Sequence, residues 1–255
     1  MIKLIDSHCH LDFRVFDKDR ADIVSHCQLL GITDIVVPGV TARSWRRLLE
    51  LCDQTDLLHP ALGLHPLFMD EHKIDDLTAL KTLVATAQPV AIGEIGLDFY
   101  LPDHDKQAQV DLLIEQLKIA QSAQLPVLLH VRRAHDQAIS LLKKYRVAGG
   151  IVHAFNGSLQ QAEHYQKLNF VMGVGGVITH AKATRLRKLF SQLPLSSIVL
   201  ETDAPDMPLS EMSDQRNTPE NIPKILAALA AIRSESEMEL ATITTDNAKR
   251  ILNLK

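Results

Sequence analysis

The chain has few cysteines. Of its 255 residues only Cys9, Cys27 and Cys52 are cysteine, an odd number in which no pair has the Cys-x-x-Cys spacing. This argues against a disulfide framework. We therefore expect reduced thiols, as in a cytoplasmic protein.

Long apolar runs and an excess of one charge sign are also absent. No stretch approaches the ~18 residues that a membrane span needs. A strand-like run begins at once, with no apolar segment of a secretory signal before it. We expect a soluble protein without membrane association. The formal net charge of −4 gives no signal for gripping a long nucleic-acid duplex, but it is compatible with a few local phosphate contacts.

The composition is otherwise that of an ordinary globular protein. Hydrophobic residues make up 46% and charged residues 23% of the chain, which suffices for a large buried core. There is no internal repeat, low-complexity tract or linker. We therefore predict a single domain over residues 1–255. The oligomeric state stays open, and a monomer is compatible with the sequence.

Eight short apolar runs of strand character alternate with helical patterns. The strands are predicted near residues 4–10, 32–37, 57–64, 90–96, 126–131, 150–153, 170–174 and 197–201. The helices are predicted near 16–30, after Thr41, and near 74–87, 105–123, 134–145, 159–168 and 181–193. Two further helices, near 219–232 and 235–252, end the chain.

The predicted strands are continuous apolar runs, which is typical of a parallel sheet buried on both faces. Strict alternation of strand and helix in one unit of this length predicts an α/β protein with a (β/α)8 TIM barrel and extra C-terminal helices. The competing fold is a doubly wound open sheet. That fold usually carries a glycine-rich phosphate-binding turn after its first strand, where this chain has His8-Cys9-His10.

Side chains that commonly bind metals stand at the carboxyl ends of six of these runs. His8 and His10, two residues apart, leave the first strand on one face, while Cys9 points to the other. In a barrel the strand ends form one rim, where active sites lie. Each residue alone has an ordinary structural explanation, but chance rarely places so many at one end. The residues at these ends are His8, His10, His65, Glu94, His130, His153 and Asp203.

The donor types suit two metal ions better than one. A tetrahedral zinc site needs three or four protein ligands, whereas four imidazoles and two carboxylates suit a pair of divalent ions ~3.5–4 Å apart. Glu94, midway around the rim, is the expected bridge. Nitrogen and oxygen donors without thiolate fit Zn, Mn, Fe or partly hydrated Mg. The predicted ligands are His8, His10, Glu94, His130, His153 and Asp203.

Six motifs occur in order along nearly the whole chain: HCHLD at 8–12, GEIGLDFY at 93–100, HVR at 130–132, HAFNG at 153–157, LETDAP at 200–205 and RNTP at 216–219. They closely resemble the TatD family of metal-dependent deoxyribonuclease-like hydrolases, within the amidohydrolase superfamily. The resemblance implies a (β/α)8 fold and divalent metals on the six ligands. It also implies that Glu94 stands where many binuclear relatives use a carboxylated lysine. Relatives often have His-Ser-Arg where this chain has His130-Val131-Arg132. The missing serine hydroxyl removes one possible substrate contact.

The expected reaction is hydrolysis of a phosphodiester by water that the metal ions activate. Glu94 and Asp203 are the predicted catalytic residues, with Asp203 taking a proton from the water; the alternative is that Asp203 is a ligand only. Arg132 would hold the phosphate with its guanidinium fork, unless it pairs with an acidic loop residue.

Four further residues are predicted to bind the substrate. His65 would contact phosphate, the alternative being a simple turn histidine. Asp98 and Tyr100 would line the pocket or orient a metal ligand. Phe155 would stack on a base, unless it belongs to the core.

Other polar residues receive weaker assignments. Glu201 would lie one layer below Asp203, with the N–H of a rim histidine as its partner. The basic cluster Lys182, Arg185, Arg187 and Lys188 has helical spacing and is predicted to be a solvated face, or to lie near a polyanion if it faces the rim. No chemistry is assigned to His26, His59, His72, His135, His164 and His180.

Three functions are compatible with these residues. The first is a deoxyribonuclease that trims DNA, single strands or ends, at the 3′ end with two divalent ions (Zn, Mg or Mn). The second is an amide or ester hydrolase that uses the same metals, because fold and ligands do not fix the substrate. The third is a metal-stabilised scaffold that binds a partner without catalysis. Assays of single-stranded DNA against small esters and amides separate the three.

Overall fold

The alternating pattern of the sequence is realised as alternating strands and helices. The computed structural model describes residues 2–100, 105–212 and 215–255. Within these ranges the strands are β1 Leu4–Asp6, β2 Ile32–Pro38, β3 Leu58–Leu62, β4 Ala91–Asp98, β5 Val127–Arg132, β6 Gly150–Val152, β7 Phe170–Val174 and β8 Ile198–Leu200. The helices are α1 Arg20–Leu29, α2 Ala42–Cys52, α3 Asp76–Ala87, α4 Lys106–Ala123, α5 His135–Lys144, α6 Leu159–Gln166, α7 Thr184–Gln192, α8 Ile222–Ala230 and α9 Glu237–Leu252.

The strands form one parallel sheet in the order β1 to β8. The first and last strands approach each other at their carboxyl ends, where Ser7 N–H donates to Leu200 O at 3.0 Å and Asp203 N–H donates to His8 O at 2.8 Å. The buried carboxylate of Asp6 accepts hydrogen bonds from the backbone and hydroxyl of Thr202 across the same seam. The sheet is therefore a nearly closed (β/α)8 barrel, as predicted, and not an open doubly wound sheet.

The core has two layers. Inside the barrel, each strand contributes one side chain to an apolar layer. These are Ile5, Val36, Ala61, Ala91, Leu128, Ile151, Val171 and Val199. Between the strands and the helices lies a larger layer that includes Trp45, Phe16, Tyr165 and Cys9. Cys9 thus packs in this outer layer, as predicted, although it lies beyond the end of β1 and strand alternation is not the reason.

Helix α9 closes the amino-terminal end of the barrel. Its Ala248, Ile251 and Leu252 pack against the inner apolar layer. Thr245 donates to Lys3 O at 3.0 Å and so ties the helix to the chain that enters β1. The opposite, carboxyl end of the barrel stays accessible. Among the described residues, no helix combines the length and apolarity needed to cross a membrane.

The structure corrects two of the predicted boundaries. Helix α1 begins at Arg20 rather than near residue 16. A separate 3-10 turn, Arg14–Phe16, precedes it, and the Arg20 guanidinium donates to Leu11 O and Phe13 O of the chain before it. Strand β1 ends at Asp6, so His8 and His10 lie just beyond it. They are held in place by backbone hydrogen bonds, from Cys9 N–H to Val36 O and from His10 N–H to Ala204 O.

Candidate metal centre

The barrel brings the predicted ligands together at its carboxyl end. His8 and His10 follow β1, Glu94 and His130 lie within β4 and β5, His153 follows β6, and Asp203 follows β8. His8, Glu94 and His153 are almost completely buried, at 0%, 1% and 4% exposure. Residues that are up to 195 positions apart in the chain therefore share one small volume, because parallel strands end at the same rim.

Glu94 lies at the centre of this cluster. Its two carboxylate oxygens face two different groups of histidines. Oε2 lies 3.1 Å from His8 Nε2 and 3.4 Å from His10 Nε2. Oε1 lies 3.0 Å from His65 Nε2, 3.1 Å from His130 Nδ1 and 2.9 Å from His153 Nε2. Glu94 therefore stands between two groups of imidazoles, one at each carboxylate oxygen.

Asp203 completes the cluster on the side of the opening. Its Oδ1 lies 3.5 Å from His8 Nε2 and 3.6 Å from His10 Nε2. Its side chain is 14% exposed, against 2% for Glu94. Asp203 therefore reaches both the buried ligands and the cavity from which a substrate or water would approach.

The donor set fits divalent cations. Within the described residues, three sets of side chains hold their ligand atoms within 4.8 Å of one another: His8, Glu94 and His153; His8, His10 and Asp203; and His65, Glu94 and His130. His130 Nδ1 and His153 Nε2 are only 3.1 Å apart and both face Glu94 Oε1. Two ring nitrogens and a carboxylate oxygen meet here, and their lone pairs point toward one another. A bound cation would accept these lone pairs.

The buried imidazoles of the cluster differ in the direction of their pKa shifts. Burial lowers the pKa of His8 to about 3 and that of His65 to about 4, so both imidazoles are neutral, the form that binds metals. Burial alone would raise the pKa of Glu94, but the surrounding histidines hold that pKa well below its usual value. Burial would also lower the pKa of His10 and of His153, but the carboxylates of Glu94 and Asp203 outweigh it and raise these pKa values to about 9 and about 10. The cluster thus holds a charged carboxylate among imidazoles of which some are neutral and some are protonated.

A supporting group orients His130. Its Nε2–H donates to the buried carboxylate of Asp98 at 3.1 Å, and Asp98 in turn accepts from Tyr100 N–H at 2.9 Å. Gln109 fixes the backbone of Asp98 by donating to its carbonyl and accepting from its N–H. Asp98 therefore has the geometry that the sequence predicts for a residue that orients a ligand.

The structure places three further residues that the sequence analysis singled out. His65 is 5% exposed and its Nε2 faces Glu94, so its ring lies within the cluster, and its contact with phosphate stays a prediction. Phe155 is 1% exposed and packs edge-on against His135 and Tyr165, so it has no open face for a base. Glu201 accepts from Ala154 N–H at 2.5 Å, whereas the nearest histidine nitrogen, His153 Nδ1, is 3.9 Å away.

Glu201 nevertheless lies where the sequence places it, below Asp203 inside the barrel. Burial raises its pKa to about 8, and one of its carboxylate oxygens has no hydrogen-bond partner among the described residues. Gly173 on β7 makes room for it, because a Cβ there would stand 2.0 Å from Glu201 Oε2.

Arg132 and Tyr100 form a stacked pair at the rim. The Arg132 guanidinium lies 3.7 Å from the centroid of the Tyr100 ring, and that of Arg133 lies 4.5 Å from it. Among the described residues Arg132 makes no ion pair; the acidic loop residue Asp103 lies outside them. The guanidinium edge remains able to donate hydrogen bonds outward. Of the basic cluster, Arg185 reaches the rim and donates to Asn156 O.

Sequence reasoning missed two contributors. His72, which received no role, donates from Nε2 to His65 O at 2.9 Å and fixes the backbone that carries His65. Asp6 joins β1 to β8 directly below the cluster. An acidic residue inside a short apolar run was the available signal for Asp6. For His72 no local signal exists, because its partner is a backbone carbonyl.

Comparisons with known proteins show which family the chain resembles. Residues 5–253 match the family of TatD related DNases. An uncharacterized metal-dependent hydrolase of Escherichia coli strain K12, YjjV, is 40% identical over 255 residues, which cover 99% of this chain and 98% of YjjV. The crystal structure of YjjV, described as a TatD homologue, superposes with a TM-score of 0.95 over 100% of this chain and 99% of the other, at 40% identity.

A more distant relative carries a more specific name. The 3′-5′ ssDNA/RNA exonuclease TatD of Rahnella sp. strain Y9602 is 32% identical over 247 residues, 94% of this chain and 94% of that protein. Both relatives are thus matched over almost their whole length.

Proposed function

This chain belongs to the family of TatD related DNases and is a metal-dependent hydrolase, and we propose that it is a phosphodiesterase that removes nucleotides from the 3′ end of DNA strands. The observation that carries the proposal is the position of Glu94, whose two oxygens face separate groups of histidines, with Asp203 beside it at the opening. The name of the Rahnella relative supports nucleic acid as the substrate.

We assign the two divalent ions, Zn, Mg or Mn, to the six ligands His8, His10, Glu94, His130, His153 and Asp203, with His65 close enough to take part. When bound, such ions lower the pKa of water and polarise a phosphoryl oxygen. Glu94 holds the imidazoles around itself, and Asp98 fixes the orientation of the His130 ring.

The remaining roles fall to residues at the opening. Asp203 accepts a proton from the attacking water, which adds to phosphorus. The bond from phosphorus to the 3′ oxygen of the neighbouring nucleotide breaks, and that oxygen takes up a proton. Arg132, positioned by its stack on Tyr100, donates to the non-bridging oxygens of the phosphate.

The test is metal depletion followed by selective restoration. Elemental analysis of the purified protein identifies its ions; a chelator then removes them, and Zn, Mg or Mn is added back singly. We expect chelation to abolish release of nucleotides from 5′-labelled single-stranded DNA and one ion to restore it, with products that shorten stepwise from the 3′ end. Undiminished cleavage in the chelator would contradict the proposal. Hydrolysis of small esters or amides without cleavage of DNA would instead favour the second function.

A further inference from the structure

A cavity of about 370 Å³ opens beside the candidate metal centre. We call it the side cavity. His130, His153 and Asp203 form the wall that it shares with the cluster, and Leu186 and Phe190 of α7 form the far wall. A molecule that bound there would therefore contact the reacting centre and helix α7 at once.

The rest of the wall is mainly apolar. Leu186, Val177 and Met207 are half-buried and come from three different parts of the chain, α7, the turn after β7 and the loop after β8. The ring of Phe155 lies behind them, within the core. Such a surface stabilises an apolar or flat aromatic group through burial and gives it no charged partner.

Apart from the wall shared with the cluster, the side cavity has two polar lining residues, Arg132 and Asn156. Arg132 stacks on Tyr100 and is exposed, so its N–H groups can reach an anion at the entrance. Asn156 is held in place, because its backbone carbonyl accepts from Arg185 and its side-chain oxygen faces His135 Nε2 at 3.3 Å. The side cavity therefore has a polar wall at the cluster, an exposed guanidinium at Arg132 and an apolar far wall.

Its size restricts the occupant. Ligand sites typically measure ~300–1,000 Å³, so this volume lies near the lower limit and suits a single nucleoside but not a base pair. The distribution of charge suits a phosphate between the cluster and Arg132 and an uncharged ring against the far wall.

We propose that the side cavity binds the nucleobase of the terminal nucleotide while its 5′ phosphate lies at the metal centre; the inference rests on the proposed phosphodiesterase function. Because apolar contacts dominate, the site accepts different bases, as stacking and packing contacts do in general. The base thereby makes nucleotide esters better substrates than simple alkyl phosphates.

Two phosphodiesters with the same leaving group test this. Thymidine 5′-(4-nitrophenyl phosphate) carries a base, whereas methyl 4-nitrophenyl phosphate does not. For the native enzyme we expect kcat/KM to favour the thymidine ester by about tenfold or more. Leu186→Trp, which fills the side cavity, should reduce that ratio by about tenfold. Leu186→Ala, which removes apolar contact without filling space, should reduce it by several fold, through KM rather than kcat.

The matched control is Leu159→Trp, because Leu159 is an exposed leucine at the start of α6 outside the side cavity. This variant should keep the native ratio. A native ratio near one, or an unchanged ratio in both Leu186 variants, would overturn the inference while leaving the phosphodiesterase function intact. If the metal-loaded native enzyme cleaved neither ester nor DNA, the proposed function itself would fail.

Discussion

Glu94 is the residue on which the cluster depends most, because its carboxylate contacts five histidines. Removing it leaves these imidazoles without their common negative partner. Glu94→Ala should abolish hydrolysis and lower the metal content, while the fold persists. Elemental analysis, circular dichroism and a nuclease assay measure the three effects.

A suitable control for this variant is Glu115→Ala, because Glu115 is a glutamate on α4 whose partner is Lys118 on the surface. It should match the native protein in metal content and activity. Full activity in Glu94→Ala would remove the bridging role that we assign to Glu94.

Asp203 combines contact with two ligand histidines and access to the opening. If it accepts the proton of the attacking water, Asp203→Asn should keep at least one metal ion but lose ~10²–10⁴ in kcat. The asparagine is similar in shape and lacks only the basic oxygen. A rate that falls only in proportion to lost metal would indicate that Asp203 is a ligand alone, so kcat and metal content are measured on the same sample.

At the scale of elements, helix α9 covers the amino-terminal end of the barrel. Leu252 is 2% exposed and packs on the inner apolar layer. Leu252→Ala should lower the free energy of unfolding by about 2–5 kcal/mol, because the cavity it leaves lies between rigid strands. Denaturant titration measures this change.

The activity of the Leu252→Ala variant per folded molecule should stay native, since the metal centre lies at the opposite end of the barrel. Met238→Ala provides the control on the same helix, because Met238 is 57% exposed. If Met238→Ala lowered the free energy of unfolding as much as Leu252→Ala, the packing role of Leu252 would be contradicted.

Strands β2 and β3 carry a polar pair away from the centre. Asp34 accepts from His59 at 2.7 Å and from the Thr33 hydroxyl at 2.7 Å. Burial would raise the pKa of Asp34, but these hydrogen bonds outweigh it and the pKa is lowered. Because the folded pKa lies below the unfolded one, the pair stabilises the fold above pH ~4 and loses this effect as the pH falls further.

Thr33→Val removes one of these hydrogen bonds with little change in volume. We expect it to lower the free energy of unfolding by about 1 kcal/mol near pH 6, and the difference from the native protein should shrink as the pH falls toward 3. Urea titrations across this range measure it. Thr242→Val is the control, because Thr242 bonds only the carbonyl of Met238 on the surface of α9. A difference for Thr33→Val that grew in acid would contradict the assignment.

The whole molecule carries a formal net charge of −4. In the described part of the chain, the cations at the rim include Arg132, Arg133 and Arg185. Affinity for single-stranded DNA should therefore depend only weakly on salt. Each neutralised phosphate contributes about −0.7 to the slope of log K against log salt, and we expect a total between about −0.7 and −2. Arg132→Gln should reduce the magnitude of the slope by about 0.7.

The control for this measurement is Arg146→Gln, because Arg146 lies beside Asn169 and Phe170, at the end of the barrel where β7 begins. It should leave the slope unchanged. A slope much steeper than −2 would contradict a compact site that holds one strand end.

Sequence alone determined the barrel and most of the cluster. Apolar runs and helical periods are local properties, so the alternation of strands and helices was readable, and parallel strands necessarily end at one rim. Ligand-type residues after six of these runs therefore predicted one site, and His8, Glu94, His153 and Asp203 do meet there.

Tertiary structure alone decided which side chains face each other. The sequence around His65 is that of a turn, yet closure of the barrel directs the His65 ring at Glu94. Phe155 is buried because α5 and α6 bring His135 and Tyr165 against it. Glu201 accepts a hydrogen bond from a backbone N–H instead of from a histidine. The reason is physical: which atoms of distant segments come within 3 Å depends on strand register and helix packing, and no local pattern encodes those.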